Sequence, residues 1–126
     1  MNNPYKLLII DDNEETLSMI HTYFSKKGYD VVSSSNGLDG LKLFEAEEAG
    51  FDLIITDLVM PNISGVAIIS IIKKKKPDMP VIAITGWGEH PEALASEAKA
   101  DLILSKPLEL PELEGFVTDL IHKNKS

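Results

Sequence analysis

Five short apolar runs, each followed by a segment with helical signals, constrain the fold of this chain more than any other feature. The clearest run, residues 53–55, is rich in β-branched side chains, which is typical of a strand buried on both faces, and it leads to Asp57. Pro61 has no N–H to donate, so the strand cannot continue, and Ser64 is a suitable first residue for a helix. The alternation predicts a parallel sheet covered by helices on both faces.

The remaining elements follow from hydrophobic periodicity and from residues that begin and end helices. Strands are predicted at residues 5–10, 30–34, 53–57, 81–85 and 102–104. The first helix is capped by Asp12 or Asn13, and the second begins at Asn36 and ends at Gly50. The third spans residues 64–75, the fourth begins near Pro91, and the fifth covers the apolar positions between residues 113 and 120.

Composition limits the classes of protein to which the chain can belong. With 126 residues, 44% of them hydrophobic, it fits one domain with a true core. It has no cysteine, which excludes disulfides and thiolate metal sites. Its net charge of −8 is unfavourable for direct binding to nucleic acid or to an anionic membrane. No stretch suits a signal peptide or a membrane span, so a cytoplasmic location is expected.

Polar residues stand where the predicted strands end. Asp11 and Asp12 follow the first strand, Asp57 ends the third, Thr85 ends the fourth and Lys106 follows the fifth. In a parallel sheet these ends share one edge, which is where open α/β sheets bind ligands. Three converging carboxylates repel one another, and a hard cation such as Mg²⁺ relieves that repulsion. Metal, lysine and hydroxyl could then hold a phosphoryl group while a carboxylate attacks phosphorus.

Each of these residues also has an ordinary structural interpretation. Asp11 and Asp12 could complement the start of the first helix, and Asp57 could be a turn residue ahead of a proline. Thr85 and Lys106 could be a strand-end hydroxyl and a solvated surface charge. The functional interpretation is favoured because all five would have to meet at one edge by coincidence.

The residues resemble a known family, the receiver domains of two-component response regulators. The resemblance covers essentially the whole chain and depends on Asp11-Asp12, Asp57 within DLVMPNISG, Thr85 and Lys106-Pro107, in that order. It implies a flavodoxin-like, doubly wound (βα)5 domain with a parallel sheet in the order 2-1-3-4-5. Residues 1–126 would form a single receiver domain with no output domain in this chain.

The resemblance also implies a metal site. Asp57 would be the phosphorylation site. Asp12, Asp57 and the backbone carbonyl of Val59 would bind Mg²⁺, with Mn²⁺ as a substitute, and Asp11 would act mainly through water. The reaction would depend on this metal.

Further roles follow from the same resemblance. Thr85 would take a phosphoryl oxygen and Lys106 would pair with the phosphate, while the peptide bond before Pro107 would be cis. Members of the family usually carry an aromatic switch residue three positions before the lysine, where this chain has Ile103. We therefore expect the output to depend more on the loop at residues 86–88 and on the fourth predicted helix.

The partners implied are a sensor histidine kinase or a histidine phosphotransfer protein as donor, and a downstream protein or a fused output domain as target. A phosphorylation-dependent dimer also fits the family. The protein would not be an enzyme but a signalling phosphoacceptor that promotes its own phosphorylation and dephosphorylation.

Three other classes use a related fold or chemistry. A phosphatase of the haloacid-dehalogenase type needs a second aspartate two residues after its nucleophile, where this chain has Val59. A flavodoxin-like carrier needs a phosphate-binding loop after the first strand, but residues 11–15 are largely acidic. An interaction module that is never phosphorylated remains the third alternative.

Overall fold

The sheet contains five parallel strands, as the sequence predicts. In the computed structural model, residues 5–48, 50–61, 63–86 and 99–125 are described. The strands are β1 (Lys6–Ile10), β2 (Asp30–Ser34), β3 (Leu53–Asp57), β4 (Val81–Thr85) and β5 (Leu102–Ser105). Their spatial order is β2-β1-β3-β4-β5, which confirms the order implied by the family resemblance. The doubly wound, flavodoxin-like fold is therefore confirmed.

Four helices lie in the described part of the chain. They are α1 (Glu14–Lys26), α2 (Gly37–Ala46), α3 (Gly65–Lys75) and α4 (Leu110–Lys125). The helix predicted to begin near Pro91 lies outside the described residues, so α4 is the fifth predicted helix. The prediction that α2 ends at Gly50 is wrong, because the backbone is already extended at Glu47, with φ −82° and ψ 103°. The Glu47 carboxylate instead lies 2.8 Å from Lys6 Nζ, beside the start of β1.

Side-chain caps fix the starts of three helices. Asn13 rather than Asp12 caps α1, since its side-chain oxygen accepts the Thr16 N–H at 2.9 Å. Asn36 caps α2 and Ser64 caps α3 in the same way. Each cap satisfies an N–H that the helix itself leaves without a partner.

Two hydrophobic clusters cover the two faces of the sheet. Leu8 and Ile10 of β1 join the cluster packed under α2 and α3. Leu7 and Ile9, the alternate residues of the same strand, join the cluster packed under α1 and α4. Successive side chains of a strand point to opposite faces, so a strand without polar positions must be covered on both sides.

Strand register brings the polar strand ends together. Ile10 pairs with Thr56, which sets the residues that follow them side by side at the carboxyl edge. Asp57 pairs with Ile84 and Thr85 pairs with Ser105, so β4 and β5 end at the same edge. No helix among the described residues is long and apolar enough to cross a membrane.

Candidate functional site

Three carboxylates gather at the carboxyl edge of the sheet. One ligand oxygen from each of Asp11, Asp12 and Asp57 lies within 4.8 Å of the other two. Asp11 is 1% exposed and Asp57 is 5% exposed, whereas Asp12 is open to solvent. The sequence placed these three residues on one edge, and the structure shows that they form one cluster.

Asp11 carries a buried oxygen that lacks a hydrogen bond. Its Oδ1 accepts the Asn13 N–H at 2.8 Å, but no described residue donates a hydrogen bond to its Oδ2. The Lys106 ammonium lies 3.4 Å from this Oδ2. A buried carboxylate is costly unless it is paired or coordinates a cation. The unsatisfied oxygen, in an all-oxygen cluster with an exposed entrance at Asp12, fits a hydrated Mg²⁺ ion.

The two carboxylate oxygens of Asp57 have different partners. Its Oδ1 accepts the Val59 N–H at 3.2 Å, and its Oδ2 lies 3.5 Å from Lys106 Nζ. Burial, and next the charge of Asp11, raise the pKa of Asp57 to about 6, while Val59 and Lys106 act in the opposite direction. The carboxylate is therefore poorly neutralised by the protein alone, which again favours a bound cation.

Lys106 is the basic member of the cluster. Burial acts to lower the pKa of Lys106, but the carboxylates of Asp11 and Asp57 outweigh it and raise the pKa. The Lys106 N–H donates to the Thr85 carbonyl oxygen at 2.9 Å, and the peptide bond to Pro107 is cis. The ammonium therefore stays charged and lies between two carboxylates.

The other predicted residues differ in their exposure to solvent. Thr85 is 1% exposed and ends β4, while Val59 is 50% exposed and follows β3. Ile103 is half-buried and packs against the cluster of α2 and α3. The loop at residues 87–88 lies outside the described residues.

Gly65 supports the site in a way that sequence reasoning missed. Its N–H donates to the Leu58 carbonyl oxygen at 2.8 Å. A Cβ at this position would lie 2.6 Å from Leu58 Cα and would collide with the carbonyl oxygen of Asp57. Glycine at the first position of a helix, directly after a capping serine, was the available signal, but it is equally compatible with an ordinary helix start.

The chain belongs to the response regulator receiver domain family. Residues 7–118 match the family described as "Response regulator receiver domain". Receiver domains of this family are phosphorylation-activated switches of two-component signalling, and this chain is one of them. The haloacid-dehalogenase and flavodoxin alternatives are thereby excluded.

Curated relatives are similar along nearly the whole chain. The transcriptional regulatory protein GlrR of Escherichia coli is 31% identical over 124 residues, which cover 98% of this chain and 28% of GlrR. The alkaline phosphatase synthesis transcriptional regulatory protein PhoP of Bacillus subtilis is 27% identical over 121 residues, which cover 95% of this chain and 50% of PhoP. The chain thus spans half or less of the length of these two relatives.

Solved structures have the same fold. A response regulator receiver domain protein from Clostridium thermocellum superposes with a TM-score of 0.88 at 34% identity, covering 96% of this chain and 97% of that chain. The response regulator protein TrrA from Thermotoga maritima, solved in complex with Mg²⁺-BeF, has a TM-score of 0.82 at 31% identity. It covers 92% of this chain and 98% of that chain. Mg²⁺ binding at an acidic pocket is a property of this family.

The raised pKa of Asp57 predicts how the stability of the metal-free protein depends on pH. The folded state holds the Asp57 proton more tightly than the unfolded chain, whose carboxyl keeps a pKa near 3.8. This contribution to stability is therefore complete below about pH 4 and is lost as the pH rises through about 6. Urea unfolding in a chelator should show Asp57→Asn gaining stability relative to the native chain as the pH rises from about 4 to about 6.

Mg²⁺ provides the control for this measurement. A bound cation stabilises the ionised carboxylate, so saturating Mg²⁺ should increase the stability of the native chain more than that of Asp57→Asn. A constant difference between the two proteins across this pH range, without metal, would mean that the Asp57 carboxyl ionises normally.

Proposed function

We propose that this receiver domain is phosphorylated on Asp57 by a phosphohistidine of a sensor histidine kinase or a histidine phosphotransfer protein. The observation that carries the proposal is the placement of the Asp57 carboxylate, 5% exposed, in one cluster with Asp11 and Asp12 and 3.5 Å from the Lys106 ammonium. A nucleophilic carboxylate needs to be ionised, held and approachable at one oxygen. The exposed side of Asp12 marks where a donor can approach.

The transfer step is a displacement at phosphorus. A carboxylate oxygen of Asp57 forms the new P–O bond, the P–N bond of the donor histidine breaks, and the departing imidazole nitrogen takes up a proton. Val59 orients the Asp57 carboxylate through its N–H at 3.2 Å. The Lys106 ammonium then forms an ion pair with the phosphoryl oxygens, and the Thr85 hydroxyl donates a hydrogen bond to one of these oxygens. Positive charge and donors fixed in advance stabilise the charge that develops on these oxygens.

Asp12, Asp57 and the backbone carbonyl of Val59 would hold Mg²⁺, and Asp11 would hold its water ligands. When bound, the metal neutralises charge on the phosphoryl oxygens and lets several carboxylates lie together. The buried unsatisfied oxygen of Asp11 supports this arrangement. Mn²⁺, which also accepts oxygen ligands, would substitute for Mg²⁺.

Phosphorylation is proposed to act on output through Thr85 and Ile103. Movement of Thr85 toward the phosphoryl group would open space that Ile103 enters by changing rotamer. Because isoleucine has neither a ring nor a hydroxyl, the segment after Thr85, which includes the fourth predicted helix, would carry more of the change. This segment can shift between two conformations only if the phosphoryl group interacts more favourably with one of them than with the other.

The chain as a whole is proposed to work in the cytoplasm as a single receiver domain of residues 1–126, and to promote its own phosphorylation and dephosphorylation. Its target would be a downstream protein or an attached output domain, with a phosphorylation-dependent dimer as one mode of output. Neither nucleic acid nor membrane would be bound directly, in keeping with the net charge of −8.

Intact mass after incubation with a small acyl phosphate and Mg²⁺ tests the proposal. We expect one phosphoryl group per chain, no incorporation in excess chelator, and a modified peptide that contains Asp57. The adduct should be lost on mild base treatment, as acyl phosphates are. If a phosphorylated kinase also transferred nothing to a folded, metal-bound chain, the protein would be an interaction module of receiver shape.

A further inference from the structure

Thr56 is a polar residue inside an apolar layer. It is 0% exposed and precedes Asp57 on β3, on the face that Ile54 shares with α2 and α3. Its neighbours in the sheet are Ile10 of β1 and Ala83 of β4. Valine has nearly the same shape and would satisfy this apolar setting, and an unbonded buried hydroxyl is costly. The hydroxyl therefore needs a partner to be tolerated here.

The partner of this hydroxyl belongs to the proposed nucleophile. Thr56 Oγ1 donates to the backbone carbonyl oxygen of Asp57 at 3.1 Å. Gly65 crowds the same carbonyl oxygen, because no Cβ fits between the two residues. The Asp57 carbonyl oxygen thus accepts a hydrogen bond from the Thr56 hydroxyl and lies close to the backbone of Gly65.

The Asp57 carbonyl belongs to the peptide unit between Asp57 and Leu58, which precedes the proposed metal ligand, the backbone carbonyl of Val59. The next residue, Leu58, is fixed through its N–H to the Ile84 carbonyl oxygen at 2.9 Å and through its carbonyl oxygen to the Gly65 N–H at 2.8 Å. Val59 follows and donates its N–H to the Asp57 carboxylate. Rotation of the peptide between Asp57 and Leu58 would alter this carboxylate contact and the direction of the Val59 carbonyl.

We propose that Thr56 is a positioning residue for phosphoryl transfer, acting through its hydrogen bond to the Asp57 carbonyl. Through this bond the hydroxyl fixes the peptide that sets both the Asp57 carboxylate and the Val59 carbonyl. The proposal rests on the proposed function, since it assigns Asp57 as the acceptor. Groups that orient the residues around a metal typically change affinity or activity by about 10- to 100-fold when they are removed.

The test compares Thr56→Val, which keeps the shape but lacks the hydroxyl, with Thr56→Ser, which keeps the hydroxyl. We expect Thr56→Val to be phosphorylated by acetyl phosphate about tenfold more slowly and to bind Mg²⁺ about tenfold more weakly. Thr56→Ser should return both values to within about twofold of the native chain. The readouts are intact-mass time courses and calorimetric titration with Mg²⁺, at a temperature where urea curves show every variant fully folded.

A matched control separates positioning from general stability. Ser34 is 7% exposed, and its hydroxyl donates at 2.8 Å to the Asn36 carbonyl oxygen at the start of α2. Ser34→Ala should lose stability without slowing phosphorylation. If Thr56→Val did not fold, Thr56→Ala would provide the same comparison with Thr56→Ser.

The outcomes distinguish the two proposals. If the native chain takes up no phosphoryl group, either from acetyl phosphate or from a phosphorylated kinase, the proposed function fails. If the native chain is phosphorylated and Thr56→Val matches it in rate and in Mg²⁺ affinity, the positioning role is overturned and Thr56 serves packing alone. An equal loss of phosphorylation rate and of Mg²⁺ affinity in Thr56→Val and Thr56→Ser would also overturn the positioning role, because the hydroxyl would then not be responsible for these values.

Discussion

Asp57→Asn is expected to take up no phosphoryl group under conditions that fully phosphorylate the native chain. The amide keeps the size of the side chain and can still accept the Val59 N–H, but it has no anionic oxygen with which to attack phosphorus. Loss of a covalent nucleophile removes the reaction rather than slowing it. Intact mass after incubation with acetyl phosphate and Mg²⁺ provides the measurement, with far-UV circular dichroism to verify folding.

Asp119→Asn is the matched control, because Asp119 is an exposed carboxylate on α4. It should be phosphorylated at the native rate. Full incorporation into Asp57→Asn would place the acceptor on another side chain. Asp11 and Asp12 would then be the first to examine, since their carboxylates lie in the same cluster.

Gly65→Ala is expected to destabilise the protein by about 3 kcal/mol and to weaken Mg²⁺ binding at least about tenfold. The added Cβ would meet backbone atoms of Asp57 and Leu58, which cannot move aside as a flexible side chain can. Either α3 or the turn after β3 must shift, and the turn carries Asp57 and Val59. Urea unfolding and calorimetric titration with Mg²⁺ measure the two effects.

Gly115→Ala supplies a control in which the stability of the protein should change in the opposite direction. Gly115 lies in α4, and beyond its chain neighbours and the nearby backbone of its own helix a Cβ there would have no atom within 4 Å. Alanine is favoured over glycine inside a helix by about 1 kcal/mol, so this variant should be more stable than the native chain. If Gly65→Ala were as stable as the native chain, the turn after β3 would be less rigid than its contacts imply.

Much of the fold was predictable because local patterns and global topology agree in this chain. The end of β3 follows from a buried apolar run that leads to polar residues, and the predicted limits of β2 match the observed strand, Asp30–Ser34. Ser64 was correctly predicted to begin a helix, since its preference for that position has a local cause. The end of α2 was predicted wrongly, since the backbone leaves the helix at Glu47, whose carboxylate contacts Lys6, a residue distant in sequence.

The sequence alone also determined which residues could form the site. Asp11, Asp12, Asp57, Thr85 and Lys106 each follow or end a predicted strand, and parallel strands direct their carboxyl ends to one edge. Their types and order were sufficient to indicate a metal-assisted phosphoacceptor. The sequence did not determine the distances between these residues, their burial or their charge state.

Tertiary structure alone decided how those residues interact. The hydrogen-bonding deficit at Asp11 and the position of Lys106 between two carboxylates depend on the register of β1, β3 and β5. The crowding of Gly65 against the Asp57 carbonyl oxygen depends on a close approach between the end of β3 and the start of α3. Sequence patterns report which face a residue occupies, whereas contacts of a few ångströms arise only when separate elements pack together.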